Sequence, residues 1–235
     1  MKSLYLWLNI ATISFPLLFT FDKRINFYKR LPFLLPAIII TGILFLAWDQ
    51  LFVIWHVWSF NPDYLLGYYV MDLPIEEVLF FFTVPYACVF ILESTRVYIK
   101  KDIFGKSHRY ITLVFMLLSC FLFYKYQRQL YTTVTCLILF FLLNIQLIVI
   151  KRNYMSRFYL TYFISIIPML IVNGILTAKP VVQYNPMHFT GIRLGTIPVE
   201  DFLYNLAMLL TCISLYEMFR RWGTRNRSAR RKQSV

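Results

Sequence analysis

Charged residues are scarce in this sequence, making up 15% of 235 residues, whereas 59% are apolar and 19% aromatic. A soluble domain needs about a quarter of its residues charged to cover its surface, so a water-soluble globule is excluded. Acidic residues are rarest, with 11 Asp and Glu against 24 Lys and Arg and a formal charge of +13. The cations lie between apolar runs and in the tail, which favours anionic lipid headgroups over nucleic acid. We therefore expect a lipid bilayer, and no nucleic acid, as a partner.

Other absences narrow the chemistry. There is no G-x-G-x-x-G or P-loop, no aspartate-rich diphosphate motif, no cluster of the three His residues, and no Lys inside the last apolar run for a retinal Schiff base. We therefore expect no metal and no cofactor, which leaves acid–base chemistry on a hydrophobic molecule. Four cysteines lie within apolar runs, so buried free thiols are favoured over disulfides or zinc. They are Cys88, Cys120, Cys136 and Cys212.

Seven apolar segments are long enough to cross the hydrocarbon of a bilayer, which needs about 20 residues per helix. The first lacks a small-residue cleavage site and is interpreted as a span, not a signal peptide. The sequence thus predicts an all-α integral membrane protein. The predicted spans are Ser3–Phe21, Leu31–Trp55, Pro74–Tyr98, His108–Tyr126, Leu130–Ile150, Phe158–Ala178 and Pro198–Arg220.

The distribution of cations predicts the orientation of the chain. Nineteen of the 24 Lys and Arg fall on one side of the membrane when the loops are assigned to alternate sides. Because that side is normally cytoplasmic, we expect the N-terminus outside and the C-terminus inside the cell membrane. From Gly223 onward the chain is polar and Arg-rich, and a mobile cytoplasmic tail is expected at the lipid surface.

An internal repeat appears when the sequence is shifted by 124 positions, which lays Asn61–Arg96 over Asn185–Arg220 without a gap. Matching residues include Asn, Pro, Gly, Glu, Cys and Arg, a polar set that two unrelated apolar helices would not share. The shift superposes spans 1 to 3 on spans 5 to 7 and leaves span 4 unmatched, so the two halves are parallel. The expected units are a first three-helix repeat (1–107), a linker helix (108–127), a second repeat (128–222) and a basic tail (223–235).

Acidic residues open the third span of each repeat, in Pro74-Ile75-Glu76-Glu77 and Pro198-Val199-Glu200-Asp201. In the plainer interpretation, each proline sits in the first helical turn and the acids interact with the free N–H groups of the helix start. Alternatively, carboxyl groups buried at the membrane edge stay partly protonated and exchange protons with an alkene. Asp49, in the second span, joins these four as a catalytic candidate.

Aromatic residues fill the loop between the second and third spans, which carries no Lys or Arg. They indicate either an interfacial aromatic belt or a wall that stabilises a cation and admits a lipid-like molecule. Pairs of Glu and Arg at the inner ends of spans 3 and 7, Glu93 with Arg96 and Glu217 with Arg220, are interpreted as structural anchors. The candidates for substrate binding are Trp55, Trp58, Tyr64, Tyr68, Asn61, Asn185 and Asn173.

The two Pro-x-Glu-(Glu/Asp) motifs, each preceded by Asn-Pro and a Gly, resemble those of the membrane-integral lycopene cyclases. The resemblance implies conversion of the acyclic ψ ends of lycopene to β-ionone rings without FAD, as an isomerisation that gives γ- or β-carotene. It implies Glu76, Glu77, Glu200 and Asp201 as catalytic residues and other carotenoid enzymes as candidate partners. Two alternatives stay open, which are a protein that binds or transports an isoprenoid and a structural subunit of a pigment complex.

Overall fold

Helices dominate the structure because a membrane-spanning helix satisfies its own backbone polar groups. The structure, a computed structural model, describes residues 2–150 and 154–233, and at 148–150 and 226–233 it describes the backbone alone. Within the described residues, seven helices are long and apolar enough to span a membrane, as the sequence predicts. They are α1 (Leu4–Leu18), α2 (Leu31–Ile54), α3 (Ile75–Tyr98), α4 (His108–Lys125), α5 (Leu130–Asn144), α6 (Met155–Ala178) and α7 (Val199–Gln233).

The predicted spans differ from the helices mainly at their ends. A tighter turn at Phe19–Phe21 continues α1, and a wider turn at Ile145–Ile150 continues α5. Helix α7 runs through Gly223 to Gln233, so it contains most of the segment predicted as a tail. Ser234 and Val235 lie outside the described residues, and the mobility and location of that segment stay predictions.

One prediction about the cysteines is wrong. Cys88, Cys136 and Cys212 are buried free thiols as expected, but Cys120 is exposed. Its helix, α4, is the least buried of the seven spans because it packs mainly against α5 on one side. An apolar residue on the outer face of such a helix remains uncovered by protein.

In the part of the chain that the structure describes, six short strands lie in the loops on the side where α3 and α7 begin. The central pair joins the two repeats, since β1 and β4 are antiparallel with Ser59 opposite Gln183. Those two residues are also counterparts under the 124-residue shift. The backbone bonds Asn61 N–H to Val181 O and Asn185 N–H to Val57 O, both 2.9 Å, are equivalent in the same way. The strands are β1 (Trp58–Phe60), β2 (Tyr69–Val70), β3 (Leu73–Pro74), β4 (Val182–Tyr184), β5 (Arg193–Leu194) and β6 (Ile197–Pro198).

The repeats are therefore related by an approximate two-fold axis that passes between β1 and β4. Helices α3 and α7 are the most buried spans and lie centrally. Helix α1 packs on α3 and α5 on α7, while α2 packs on α7 and α6 on α3. Each repeat thus contributes its second helix to the other repeat. This exchange brings the acids of both halves to one place.

A small hairpin leads into each central helix, β2–β3 before α3 and β5–β6 before α7. The prediction that each proline lies inside the first helical turn is wrong. Pro74 has an extended backbone (φ −63°, ψ 146°) and pairs with Tyr69 in the hairpin, so α3 begins at the next residue. Pro198 precedes α7 in the same way. Glu76 consequently occupies the second helical position and Glu77 the third.

The ends of α3 and α7 that lie far from the strands carry a buried charge network that links the repeats. The Arg96 guanidinium contacts the carboxylates of both Glu93 and Glu217, and Arg220 pairs with Glu217 at 3.0 Å. The Tyr216 hydroxyl donates to Glu93 at 2.9 Å. The predicted pairs within each helix are present, and Arg96 also bridges the two halves.

Candidate active site

A small buried cavity of about 70 Å³ lies where the two repeats meet. Every spanning helix except α4 contributes to its lining, together with β1 and β4. Three acids line it, namely Glu77, Asp201 and Asp49. Glu77 and Asp201 reach the same space because the approximate two-fold axis relates the starts of α3 and α7.

Asp201 is held by three hydrogen-bond donors. The Tyr131 hydroxyl donates to Asp201 Oδ1 at 2.7 Å, and the Tyr184 hydroxyl and the Asn173 amide donate to Oδ2 at 2.9 and 3.3 Å. Burial raises the pKa of the Tyr184 hydroxyl well above its ordinary value, and Asp201 raises it further, so this group keeps its proton and donates. Such a donor set favours the anionic form of Asp201.

The equivalent acid of the first repeat has a different environment. The Tyr5 hydroxyl donates to Glu77 Oε2 at 2.5 Å, and no other hydrogen bond reaches Glu77 within the part of the chain that the structure describes. Asp49 stands where the second repeat has Asn173, and Phe60 where it has Tyr184. In the first repeat, a second carboxyl group and a phenyl ring therefore stand where the second repeat has two of the donors to Asp201.

The acids of the cavity form no ion pair in the described part of the chain, although the Arg193 guanidinium lies 5.7 Å from the ring centroid of Tyr184, whose hydroxyl donates to Asp201. Among the described residues, the ion pairs all involve Glu93 or Glu217 at the far ends of α3 and α7. Asp49 and Glu77 interact electrostatically, and Asp49 also interacts with the indole N–H of Trp58. Like carboxyl groups that share a buried site without a cation retain a proton between them.

Glu76 and Glu200 point away from this cavity. Glu76 Oε1 accepts from the backbone N–H of Leu66 at 2.7 Å, and Glu200 Oε1 accepts from that of Thr190 at the same distance. The Thr132 hydroxyl also donates to Glu200 Oε1, at 2.6 Å. These carboxylates fix the loops that precede α3 and α7.

Aromatic rings form much of the cavity wall. Trp58 and Tyr131 have ring centroids 5.1 Å apart, and Tyr131 stacks on Tyr184 with centroids 6.0 Å apart. Tyr204 packs against both Trp58 and Tyr131 at 6.3 Å. The faces of such rings stabilise a cation that forms among them.

Of the residues predicted to bind substrate, two line the cavity, Trp58 and Asn173. Trp55 and Tyr68 are exposed. Tyr64 packs against a separate buried cluster that includes Leu65. The last two are Asn61 and Asn185, whose side chains accept from backbone N–H groups two residues later, both at 3.0 Å, and so shape the loops.

The tyrosines that donate to the acids were not predicted from the sequence. Tyr5 and Tyr131 occupy equivalent places in the structure, yet the constant shift aligns Tyr5 with Gln129. A comparison that allows a two-residue gap between the first helices of the repeats aligns them. Tyr184 has no such signal, because its counterpart is Phe60.

A much larger apolar groove of about 730 Å³ adjoins the cavity. It lies between α1 and α6 and has α3 as its floor. Phe80 and Asn173 line both spaces, so the acids stand at one end of the groove. The arrangement places proton donors and acceptors beside a space suited to a hydrocarbon.

Comparison with known proteins agrees with this arrangement. A family model described as lycopene cyclase matches residues 2–95 and 128–219, which correspond to the two repeats. A bifunctional lycopene cyclase/phytoene synthase from Aspergillus niger is 30% identical over 78 residues, a match that covers 31% of this chain and 13% of that protein. No solved structure matches. Since the matched segments cover well over half of its residues, this chain belongs to the lycopene cyclase family.

Proposed function

We propose that this protein cyclises the acyclic ends of lycopene to β-ionone rings by acid–base chemistry in the composite cavity. The observation that carries the proposal is the unequal environment of the acids. Glu77 accepts one hydrogen bond and shares its site with Asp49, which favours a retained proton, whereas Asp201 accepts three hydrogen bonds, which favour its anion. Carotenoid cyclisation requires both a proton donor and a proton acceptor.

The reaction begins with transfer of a proton from the Glu77–Asp49 pair to C2 of the terminal double bond, which leaves a cation at C1. The C5=C6 π electrons then form the C1–C6 bond, and the positive charge moves to C5. Loss of the C6 proton to Asp201 forms the C5=C6 double bond of the ring. No atom is gained or lost overall, so the step is an isomerisation, and the proton on Asp201 returns to the Glu77–Asp49 pair before the next turnover.

The surrounding residues support each stage. The rings of Trp58, Tyr131 and Tyr204 stabilise the intermediate cation through their faces. The anionic carboxylate of Asp201 stabilises the same charge before it accepts the proton. Glu76 and Glu200, which hold loops outside the cavity, have a positioning role in this proposal.

The test is expression in lycopene-accumulating cells followed by chromatography of the pigments. The unaltered protein is expected to form monocyclic and bicyclic products. Glu77→Gln keeps an oxygen for the Tyr5 hydroxyl but removes the acid, and general acid catalysis contributes about 10²–10⁴-fold to a rate. A loss of that size is expected.

Glu76→Gln is the matched control, since it makes the same change one residue away and outside the cavity. It is expected to lose less than about tenfold, or about 1.4 kcal/mol in the barrier. If Glu77→Gln forms rings at the normal rate, the assignment of the acid is wrong. If the unaltered protein retains lycopene without converting it, the chain is an isoprenoid-binding or transport protein instead.

The multi-pass arrangement carries a further expectation about orientation. We propose that the cavity end lies outside and the Glu93–Glu217 end inside, because most cations flank the latter. A thiol at Met71, an exposed residue in the cavity-side loops, is expected to react with a membrane-impermeant reagent in intact cells after Met71→Cys. Lys101→Cys, on the opposite side, is expected to react only after lysis, and the reverse pattern overturns the orientation. Both variants also carry Cys120→Ser, because Cys120 is an exposed native thiol.

A further inference from the structure

The large groove suits one class of occupant. Its lining follows α3 from Phe80 to Ile99, which is about 28 Å along a helix axis and close to the thickness of a bilayer core. A rod-shaped molecule that lies along α3 fills such a space, whereas a compact one does not. The continuity through Phe80 and Asn173 brings one end of that molecule to the acids.

Four hydroxyl groups in the groove lining are already satisfied by the protein. The hydroxyls of Thr12, Ser94, Thr95 and Ser165 each donate to a backbone carbonyl of their own helix at 2.8 Å. Apart from the side chains of Tyr98, Asn173 and Asn205, the groove therefore presents a largely hydrocarbon surface. A molecule without oxygen atoms enters it at no cost in lost hydrogen bonds.

The approximate two-fold axis predicts a second groove, between α5 and α2 over α7. Large rings fill that place. Phe45 stands where the first groove has Met169, Trp48 where it has Val172, and Tyr204 where it has Phe80. The three rings pack together, with the Tyr204 centroid 5.3 Å from that of Phe45 and 4.7 Å from that of Trp48. The second approach to the acids is closed.

We infer that a linear isoprenoid polyene reaches the acids only through the groove formed by α1, α3 and α6, so that one end of the molecule reacts at each visit. This inference rests on the proposed function and deepens it. A polyene with two identical ends must leave the groove and re-enter in the opposite direction before its second ring forms. The duplicated repeats thus make one site, not two.

Val172→Trp tests the inference, because it introduces into the open groove the indole ring that Trp48 supplies at the equivalent place in the second repeat. Ile167→Trp is the matched control on the same helix, at an exposed residue outside the groove lining. Both changes are made together with Glu77→Gln, so that bound pigment is measured without turnover. The readout is the molar ratio of lycopene to purified protein in detergent.

Val172→Trp is expected to reduce bound lycopene at least tenfold, and Ile167→Trp to leave it unchanged. Met169→Phe is the second variant. It introduces the phenyl ring that Phe45 supplies at the equivalent place in the second repeat, and it is also expected to reduce lycopene binding. Helix content and elution volume of each variant show whether it is folded. The inference is overturned if folded Val172→Trp and Met169→Phe bind lycopene normally, or if the groove retains phospholipid that lycopene does not displace.

The outcomes separate this inference from the proposed function. If Val172→Trp abolishes lycopene binding and the unaltered protein, with Glu77 intact, forms no rings, the groove is supported and the cyclase is refuted. If the unaltered protein forms rings and Val172→Trp in the Glu77→Gln background binds lycopene normally, the cyclase is supported and the groove is refuted.

Discussion

Removal of the Glu200 side chain is expected to destabilise the fold more than removal of Glu76. In Glu200→Ala, the Thr190 N–H and the Thr132 hydroxyl lose the oxygen to which they donate at 2.7 and 2.6 Å. Each donor left unsatisfied costs about 1–3 kcal/mol, so the expected loss in unfolding free energy is about 2–6 kcal/mol. Glu76→Ala deprives one such donor, Leu66 N–H, and is expected to cost about 1–3 kcal/mol.

The comparison is internally controlled. The second carboxylate oxygen of each residue, Glu76 Oε2 and Glu200 Oε2, is buried without a hydrogen-bond partner among the described residues. Removing this unpaired oxygen changes the free energy of unfolding by a similar amount in the two variants. The change therefore cancels when the two free energies are subtracted. The remaining difference, about 1–3 kcal/mol, is the contribution of the Thr132 hydroxyl.

The assay is reversible unfolding by SDS in mixed micelles, followed by far-UV circular dichroism. Thr132→Val, which replaces the hydroxyl with a methyl group, is expected to cost less, about 0.5–1.5 kcal/mol, because it leaves no unsatisfied donor and Glu200 Oε1 keeps its bond from the Thr190 N–H. The reasoning is refuted if Glu76→Ala is as destabilising as Glu200→Ala. It is also refuted if both variants unfold within about 0.5 kcal/mol of the unaltered protein, the range of ordinary surface substitutions.

Three further predictions concern other contacts. Tyr5→Phe is expected to slow ring formation about tenfold, which is a larger effect than that of Tyr131→Phe. Tyr5 is the donor to Glu77, whereas Tyr131 is one of three donors to Asp201. Initial rates of product formation test this difference. Arg96→Ala is expected to destabilise the fold by about 3 kcal/mol by leaving buried carboxylates short of a cation, and an unchanged SDS midpoint contradicts it. Gly191→Ala is expected to lower the free energy of unfolding by about 1 kcal/mol, because Gly191 has a φ of +78°. Gly174→Ala is expected to cost nothing, because a Cβ atom added at Gly174, within α6, lies 4.0 Å from its nearest neighbour. Equal SDS midpoints for the two variants overturn this prediction.

Much of the architecture was predictable from the sequence. Apolar runs of about 20 residues specify spanning helices because the bilayer leaves the backbone few alternatives. The polar matches between Asn61–Arg96 and Asn185–Arg220 revealed the duplication, and an unmatched span between the repeats made them parallel. That topology alone puts Glu77 and Asp201 at the same depth in the membrane.

The ends of elements were less predictable, since they depend on contacts distant in sequence. Pro74 suits a first helical turn by its own geometry, but pairing with Tyr69 holds it in a strand. The hairpins and the β1–β4 pair are too short to leave a periodic signal. Helix α7 continues past Gly223 although the composition there changes from apolar to basic.

By itself, the sequence determined which acids exist, how they repeat and how deep they lie. Only the tertiary structure decided which member of each pair enters the shared cavity, because consecutive helical residues point about 100° apart and packing sets the rotation of the helix. The same packing gives Asp201 three donors and leaves Glu77 beside Asp49. Packing also leaves one groove open and fills its counterpart. Val172 and Trp48 occupy equivalent places about the approximate two-fold axis, so the small side chain leaves space where the large ring fills it.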